Sequence, residues 1–267
     1  MDTSAYPIST ASLAAAYGLA IIPLAIMLYY QLGTVRRTVI AIIRMTVQLA
    51  AVSMLLFYLF EWDKWWANMG WALCMIGFAA LSATNDSGLN LRFFLPPVFA
   101  ALAIGTLSIL FFINTIVLKL EDIFAAPYLI ILGGMLLGNA LKGIIIGLGA
   151  FFRSLYAEQE RYEFGLAAGA SRQEALRPFF QESLRAALNP TVASMATMGV
   201  VFLPGMMAGQ IIGGSSPDTA IRYQLAIMLA IFACIAISLL LAIHLSLNRS
   251  FDAYGNIRPG LLRSTNG

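Results

Sequence analysis

Apolar residues fill seven long windows of the chain, each bounded by charged or turn-forming residues. The windows run over residues 12–32, 38–60, 65–83, 93–117, 127–152, 191–213 and 220–247. A helix needs about 20 mostly apolar residues to cross the hydrocarbon core of a bilayer, and each window has about this length. The pattern predicts an all-α fold: one transmembrane domain over residues 1–267, a polytopic bundle of about seven spans.

The stretch 153–190 is the only long polar region between these windows. It predicts a helix over residues 155–168 that ends at Gly169 in the left-handed conformation. A second helix follows, with Ser171 and Glu174 in the spacing of a capping box and Pro178 expected to bend or divide it. Apolar residues recur along it every three to four positions, so the segment is amphipathic. It can pack on the protein's own helices, lie in the lipid interface or dock on a cytoplasmic partner.

Composition supports a membrane protein. Hydrophobic residues make up 60% of the chain and charged residues 11%, whereas a soluble domain carries about a quarter of charged residues. The lipid bilayer is therefore the expected solvent for most of the surface. No soluble catalytic domain is expected.

Arginine and lysine are distributed unequally between the two sets of loops. Eleven arginines lie on one side: Arg36, Arg37, Arg92, Arg153, Arg161, Arg172, Arg177, Arg185, Arg249, Arg258 and Arg263. The other side carries Lys64 and Lys119. Because cytoplasmic loops hold the excess of basic residues, we expect the N-terminus outside, the C-terminus in the cytoplasm and residues 153–190 on the cytoplasmic side.

Three basic residues fall inside the windows, where a charge is costly and a functional role is the default hypothesis. Arg44 can snorkel to the interface, or it can act with Gln48 in a pathway or in packing. Lys142 can also snorkel. Arg222 can pair with Asp218, four residues earlier.

Glycines recur at four-residue spacing in the sixth window. Gly205, Gly209 and Gly213 allow a close approach between helices, and Pro204 can open a kink whose freed carbonyl faces a cavity. Generic bundle packing and a gating or dimer-contact role both fit this pattern.

Motifs for metal and nucleotide chemistry are missing. Met195, Met198, Met206 and Met207 offer thioethers, which suit soft ions, whereas iron(II) prefers nitrogen and oxygen donors. We therefore interpret them as packing residues and assign no metal ligands. Gly133 and Gly138 have the glycine spacing of a P-loop, but Asn139 and Ala140 follow where Lys and Ser or Thr are needed. No protease or other catalytic motif is present, so the chain is not expected to be an enzyme.

The run 163–171 (EFGLAAGAS) resembles the EAA loop of ABC transporter permeases. In that loop a Glu, and a Gly six residues later, precede the helix that docks on the ATPase. Glu163 and Gly169 keep the spacing. The resemblance implies an ATPase-coupling surface formed by Glu163, Gly169, Ser171, Arg172, Glu174 and Arg177.

A second resemblance covers nearly the whole chain. Segments 134–140 (GMLLGNA), 183–192 (SLRAALNPTV) and 203–210 (LPGMMAGQ), with 216–217 and 220–224, are similar to FetB-type permeases. That family includes bacterial permeases linked to iron export and plant proteins linked to aluminium tolerance and UDP-glucose transport. The resemblance implies pathway or gating roles for Arg44, Gln48, Asn139, Pro204, Gly205, Gly209 and Gln210.

These resemblances imply a permease subunit of an ATP-driven transporter in the cytoplasmic (inner) membrane, exporting iron or another metal. Two copies would work with two copies of a separate cytoplasmic ATPase. ATP and Mg would be held on that partner; the permease itself would bind no cofactor and no nucleic acid. A nucleotide sugar such as UDP-glucose is the alternative substrate.

A stand-alone secondary transporter or channel is the alternative function. In that hypothesis Arg44, Lys142 and Asn139 line the path, and residues 153–190 lie on the lipid surface. Secondary transporters often contain inverted internal repeats, and no convincing repeat is present in the sequence.

Overall fold

The computed structural model describes residues 9–252, 257–258 and 260–261, so Arg263 lies outside the described residues. The fold is all-α, as predicted. The helices are α1 (Thr10–Tyr17), α2 (Ile21–Tyr29), α3 (Val35–Trp62), α4 (Trp65–Asp86), α5 (Leu91–Phe112), α6 (Gly133–Ala157), α7 (Gln159–Ala167), α8 (Arg172–Thr197), α9 (Gly205–Ile212) and α10 (Pro217–Ser250). A 3₁₀ turn joins α1 to α2, and π-helical turns extend the end of α5 and the start of α6.

Six helices among the described residues are long and apolar enough to cross a membrane. They are Thr10–Tyr29, Val35–Trp62, Trp65–Asp86, Leu91–Val117, Pro127–Ala157 and Pro217–Ser250. Each coincides with one of the predicted windows. The polytopic helical architecture is thus confirmed.

The predicted window 191–213 has a different structure. Helix α8 continues through Pro190 to Thr197, residues 198–204 are not helical, and α9 begins at Gly205. Gly199 has a φ of +85°, a conformation that glycine adopts without strain. Pro204 has no N–H to continue a helical ladder. The window 191–213 therefore contains the end of α8, a non-helical break and the short helix α9.

Pro178 does not divide α8, which excludes one of the two outcomes expected at this residue. The helix is continuous from Arg172 to Thr197. Leu176 and Phe179 are buried on the two sides of this proline, and Ser183 is buried one turn later. The hydroxyl of Ser183 donates to the carbonyl of Gly147 on α6 at 2.7 Å, which fixes this part of α8 against α6.

The core lies where α10 packs on α5 and α6, with α4 and α8 on the flanks. Small residues bring these helices close together. A Cβ added at Gly105 would lie 3.2 Å from the Cα of Ser238 on α10. A Cβ at Gly143 would meet Ile235, and one at Gly147 would meet Leu239.

The segment from α8 to α9 runs antiparallel to α10. At the start of α8, Arg172 Nη2 donates to the carbonyl of Leu247 at 3.1 Å. At its far end, Met198 Sδ lies 3.9 Å from Nε2 of Gln224, and Ser216 caps α10. The 23 residues of α10 between these levels span about 34 Å, comparable to the hydrocarbon core. Residues 172–216 thus run alongside most of α10, and the break between α8 and α9 lies near the N-terminal end of that helix.

The N-terminal helices lie at the edge of the bundle. No described residue of α1 or α2 is buried, and Leu59 is the one buried residue of α3. Leu59 packs with Ala126 and Ile130. Most of the surface of α1–α3 is therefore available to lipid or to another protein.

Candidate functional site

A cavity of about 430 Å³ lies at the break between α8 and α9. Its walls come from α6, the end of α8, residues 198–204, the start of α9 and the first half of α10. Five of its lining side chains are polar: Asn139, Lys142, Thr191, Ser194 and Gln224. The break between α8 and α9 therefore opens onto a space with a partly polar lining between α6 and α10.

Helix α6 supplies the charge of this cavity. Asn139 and Lys142 are three residues apart, so they share one face of the helix. Asn139 Nδ2 donates to the carbonyl of Met135 at 2.8 Å. Lys142 is exposed and forms no ion pair within the described part of the chain. No carboxylate among the described residues lines the cavity, so its charge is positive.

Gln224 places an unsatisfied amide at the cavity. It is 5% exposed, and its Oε1 has no hydrogen-bond partner among the described residues. Its Nε2 makes only the contact of 3.9 Å with the sulfur of Met198. A buried polar group without a partner costs about 1–3 kcal/mol, and such a group in a membrane helix indicates function.

The N-terminus of α9 borders the same cavity. Pro204 is its N-cap residue, and no side chain caps the helix. The first N–H groups of a helix have no acceptor within the helix, and Pro204, Gly205 and Met206 all line the cavity. A Cβ added at Gly205 would meet no atom within 4 Å. The backbone amides at this end are therefore approachable.

The structure brings together some of the predicted pathway residues and separates others. Asn139, Pro204 and Gly205 line the cavity, and Lys142 lies with them. Gly209 and Gln210 lie further along α9 and are not part of the lining.

Arg44 and Gln48 do not reach the cavity. They lie exposed on α3, whose only buried residue is near its C-terminal end. Arg222 and Asp218 form the expected ion pair at 2.9 Å, which confirms that prediction.

The glycines of the sixth window do not mediate close packing among the described residues. A Cβ added at Gly205 or Gly209 would meet nothing within 4 Å, and at Gly213 it would meet only backbone of α9 itself. The close contacts are made instead by Gly143 and Gly147 on α6. Glycines at four-residue spacing show where another helix could pack closely. Whether a helix does pack there depends on which helix lies opposite.

The methionines are divided between cavity and core. Met198 and Met206 line the cavity, together with Met135 and Met228. Met207 is buried. No group of three or more His, Cys, Asp and Glu residues gathers within the described parts of the chain.

The turn between α7 and α8 has the predicted conformation. Gly169 has a φ of +92°, and Ser171 with Glu174 forms a capping box. Two hydrogen bonds from Ser171, through its hydroxyl and its backbone N–H, hold the pKa of the Glu174 carboxyl below its usual range. Glu163 is exposed on α7 and accepts a hydrogen bond from Gln159 at 2.6 Å.

Arg172 and Arg177 have different surroundings. The guanidinium of Arg172 lies 4.2 Å from the centre of the Phe251 ring and also donates to α10. Tyr162, which is buried, packs against the same ring, and burial raises the pKa of its hydroxyl. Arg172 thus anchors the start of α8, whereas Arg177 is exposed beside a groove lined by Phe180 and His244.

Comparison with known proteins agrees with this architecture. Residues 10–251 match the model of the uncharacterised protein family UPF0014. The chain belongs to this family. The family resemblance found in the sequence is thereby confirmed, and the chain is an integral membrane protein.

Relatives in the family come from bacteria and plants. The probable iron export permease protein FetB of Escherichia coli (strain K12) is 28% identical over 253 residues, 94% of this chain and 95% of the relative. The UPF0014 membrane protein YjkA of Bacillus subtilis (strain 168) is 29% identical over 210 residues, 78% and 82% of the two chains. Protein ALUMINUM SENSITIVE 3 of Arabidopsis thaliana is 28% identical over 218 residues, 80% and 77%. No solved structure shows a significant match.

Sequence reasoning missed three polar residues of the cavity: Thr191, Ser194 and Gln224. Gln224 carried a usable signal, because an amide seven residues into an apolar span is costly unless it has a partner. The two hydroxyl residues carried a weaker one, since Ser and Thr also bond to their own helix backbone, as Ser194 does with Pro190 at 3.0 Å.

Proposed function

We propose that this protein is the permease subunit of an ATP-driven transporter, and that its cargo passes through the cavity at the helix break. The polar lining of this cavity carries the proposal. Broken helices in membranes occur where backbone lines a protein interior or a water-filled space, and transporters bind substrates at such breaks. The name of the Escherichia coli relative, a probable iron export permease, supports this function.

A separate cytoplasmic ATPase would supply the energy by docking on the corner formed by α7, Gly169 and the start of α8. The excess of arginine in the loops on this side supports a cytoplasmic location. Glu163, Glu174 and Arg177 are exposed there, so they are available for contacts. Two copies of each subunit would form the working transporter.

Helix α8 connects the proposed docking corner directly to the cavity. It is a continuous helix of 26 residues, about 39 Å long, and it ends at the break. A displacement of its cytoplasmic end would therefore move Thr191 and Ser194 relative to α6 and α10. Such a shift of one packed element can switch a cavity between two openings.

Reconstitution in liposomes tests this function. The purified protein is combined with a P-loop ATPase encoded beside it, and ATP hydrolysis and solute flux are measured with iron, with other metals and with UDP-sugars. We expect at least one of these solutes to stimulate hydrolysis and to move only when ATP is present.

Two results would contradict the proposal. Failure of the protein to bind the ATPase would remove the coupled mechanism. Gradient-driven flux through the protein alone would identify a stand-alone transporter or channel. Absence of stimulation by iron would remove iron as the first choice of cargo and leave the nucleotide sugar.

A further inference from the structure

The geometry of the cavity points to an anionic cargo: we propose that a negatively charged group binds between Lys142, Gln224 and the N-terminus of α9. That the bound anion is the transported cargo rests on the proposed transport function. The binding site itself follows from the residues that line the cavity.

The charge of the cavity favours an anion over a metal cation. Lys142 brings an ammonium group without an ion-pair partner among the described residues, and no described carboxylate lines the cavity to balance it. A bare metal cation would be repelled by this lysine and would find no carboxylate ligand of the kind that hard cations prefer. An anion would gain an attraction that low-dielectric surroundings strengthen.

The broken helix also favours an anion. The N-terminus of α9 carries uncompensated N–H groups and the positive end of the helix dipole. In transporters with discontinuous helices, such half-helix N-termini face the anionic groups of substrates. Because Gly205 has no side chain and open space around its Cβ position, an anion can approach these amides closely.

Gln224 adds a polar group to the cavity that is independent of Lys142 and α9. Its buried amide lacks a partner for Oε1, so a bound molecule can satisfy it. In the present orientation Oε1 is enclosed by protein, so the amide must rotate to contact a cargo. Rotation of the amide would turn Nε2 toward an anionic oxygen and would break only the weak contact with the sulfur of Met198.

The size of the cavity limits the class of anion. At about 430 Å³ it falls in the range of pockets that hold small organic ligands. A nucleotide sugar and an anionic organic complex of iron both have a suitable charge. If iron is the cargo, the inference requires that it travel as such a complex rather than as the free ion.

Equilibrium binding to the purified full-length protein, in detergent and without ATPase, tests the inference by calorimetry. The probes are UDP-glucose, the ferric citrate complex and ferrous ion alone. We expect at least one of the two anionic probes to bind, Lys142→Met to weaken its binding at least tenfold, and Lys142→Arg to stay within about threefold of the wild type. Ferrous ion alone should not bind in the cavity.

A pair of glycine variants provides a matched control. Gly205→Val places a side chain at the uncapped end of α9 and should weaken binding of the anionic probe at least tenfold. Gly209→Val, one turn further on and outside the lining, should leave binding unchanged. The unfolding temperature of each variant shows whether it is folded.

Binding of ferrous ion alone that is unchanged or improved in Lys142→Met would overturn the inference, and so would the absence of binding by both anionic probes. These outcomes are separate from failure of the transport proposal, because the experiment needs neither ATP nor flux. Lys142-dependent anion binding in a protein that transports nothing would support the site and contradict the transport function.

Discussion

Lys142 and Gln224 show how differently single polar residues are placed in this bundle. Both lie in apolar windows, as Arg44 does, yet the structure assigns Lys142 and Gln224 to the cavity and leaves Arg44 on an exposed helix. Sequence alone reveals the charge of Lys142 but not the helices that surround it. Lys142 and Arg44 are both exposed, so it is the position on the cavity wall that distinguishes a residue of the site from one that can snorkel.

Replacement of Gln224 by methionine should raise stability and lower transport. The buried Oε1 lacks a partner, so an apolar side chain of similar length removes a cost of about 1–3 kcal/mol. The unfolding temperature in detergent should rise, whereas ATP-driven flux should fall because the cargo loses a hydrogen-bonding group.

Gln48→Met on exposed α3 is the control for this change and should alter neither quantity. A fall in the unfolding temperature of Gln224→Met would show that the amide has a stabilising partner, contrary to the account given above.

Helices α8 and α9 illustrate where the pattern predicts elements and where it does not. The start of α8 was predictable in detail, because Gly169, Ser171 and Glu174 act through contacts within a few residues. Its continuation through Pro190 was not, since it depends on packing against α6. The N-terminal cap of α8 is determined by residues near it in the sequence. The length of α8 is determined by its contacts with other helices.

Gly169→Ala should impair coupling between the ATPase and transport. The φ of +92° is unfavourable for alanine by about 1–2 kcal/mol, so the turn between α7 and α8 would shift. We expect cargo-stimulated ATP hydrolysis to fall severalfold, measured on the reconstituted transporter, with the protein still folded.

Gly165→Ala is the matched control on the same corner. Its Cβ would make only ordinary contacts, the nearest at 3.5 Å from Ala175, and alanine favours the helix. Equal loss of stimulation in both variants would argue that any added side chain disturbs docking and that the turn geometry is not the cause.

The backbone amides at the start of α8 should lose protection from hydrogen exchange at acid pH. The Ser171 hydrogen bonds lower the pKa of Glu174 in the folded state, so its capping contribution is complete above the ordinary pKa of a glutamate carboxyl. It is lost as the pH falls through the lowered folded value. Hydrogen exchange of the amides at Ser171 and Glu174, corrected for intrinsic rates, should show this loss.

A Glu174→Gln variant keeps a hydrogen-bonding group at this position without a titrating carboxyl. Its protection should not change over the same pH range. The same acid-dependent loss in this variant would assign the effect to another group.

The described part of the molecule has six helices long and apolar enough to cross a membrane, and the window predicted as a further span is broken between α8 and α9. The all-α membrane architecture was predictable because it follows from the length and apolar character of the windows. The cavity was not, because its walls come from residues on α6, α8, α9 and α10 that are distant in sequence. Its position at the break is the feature on which the proposed transport function rests.

Accessibility of Ser194, on the cavity wall, tests this account most directly. Ser194→Cys is made with Cys74 and Cys234 replaced by alanine and treated in ATPase-containing liposomes with a membrane-impermeant thiol reagent. Val192→Cys, on the same helix but outside the cavity lining, is the control. The account predicts that the cysteine at 194 reacts and that its rate changes severalfold when ATP binds, while the cysteine at 192 stays unreactive because a thiolate does not form in lipid. Equal reactivity of the two positions, unchanged by ATP, would contradict it.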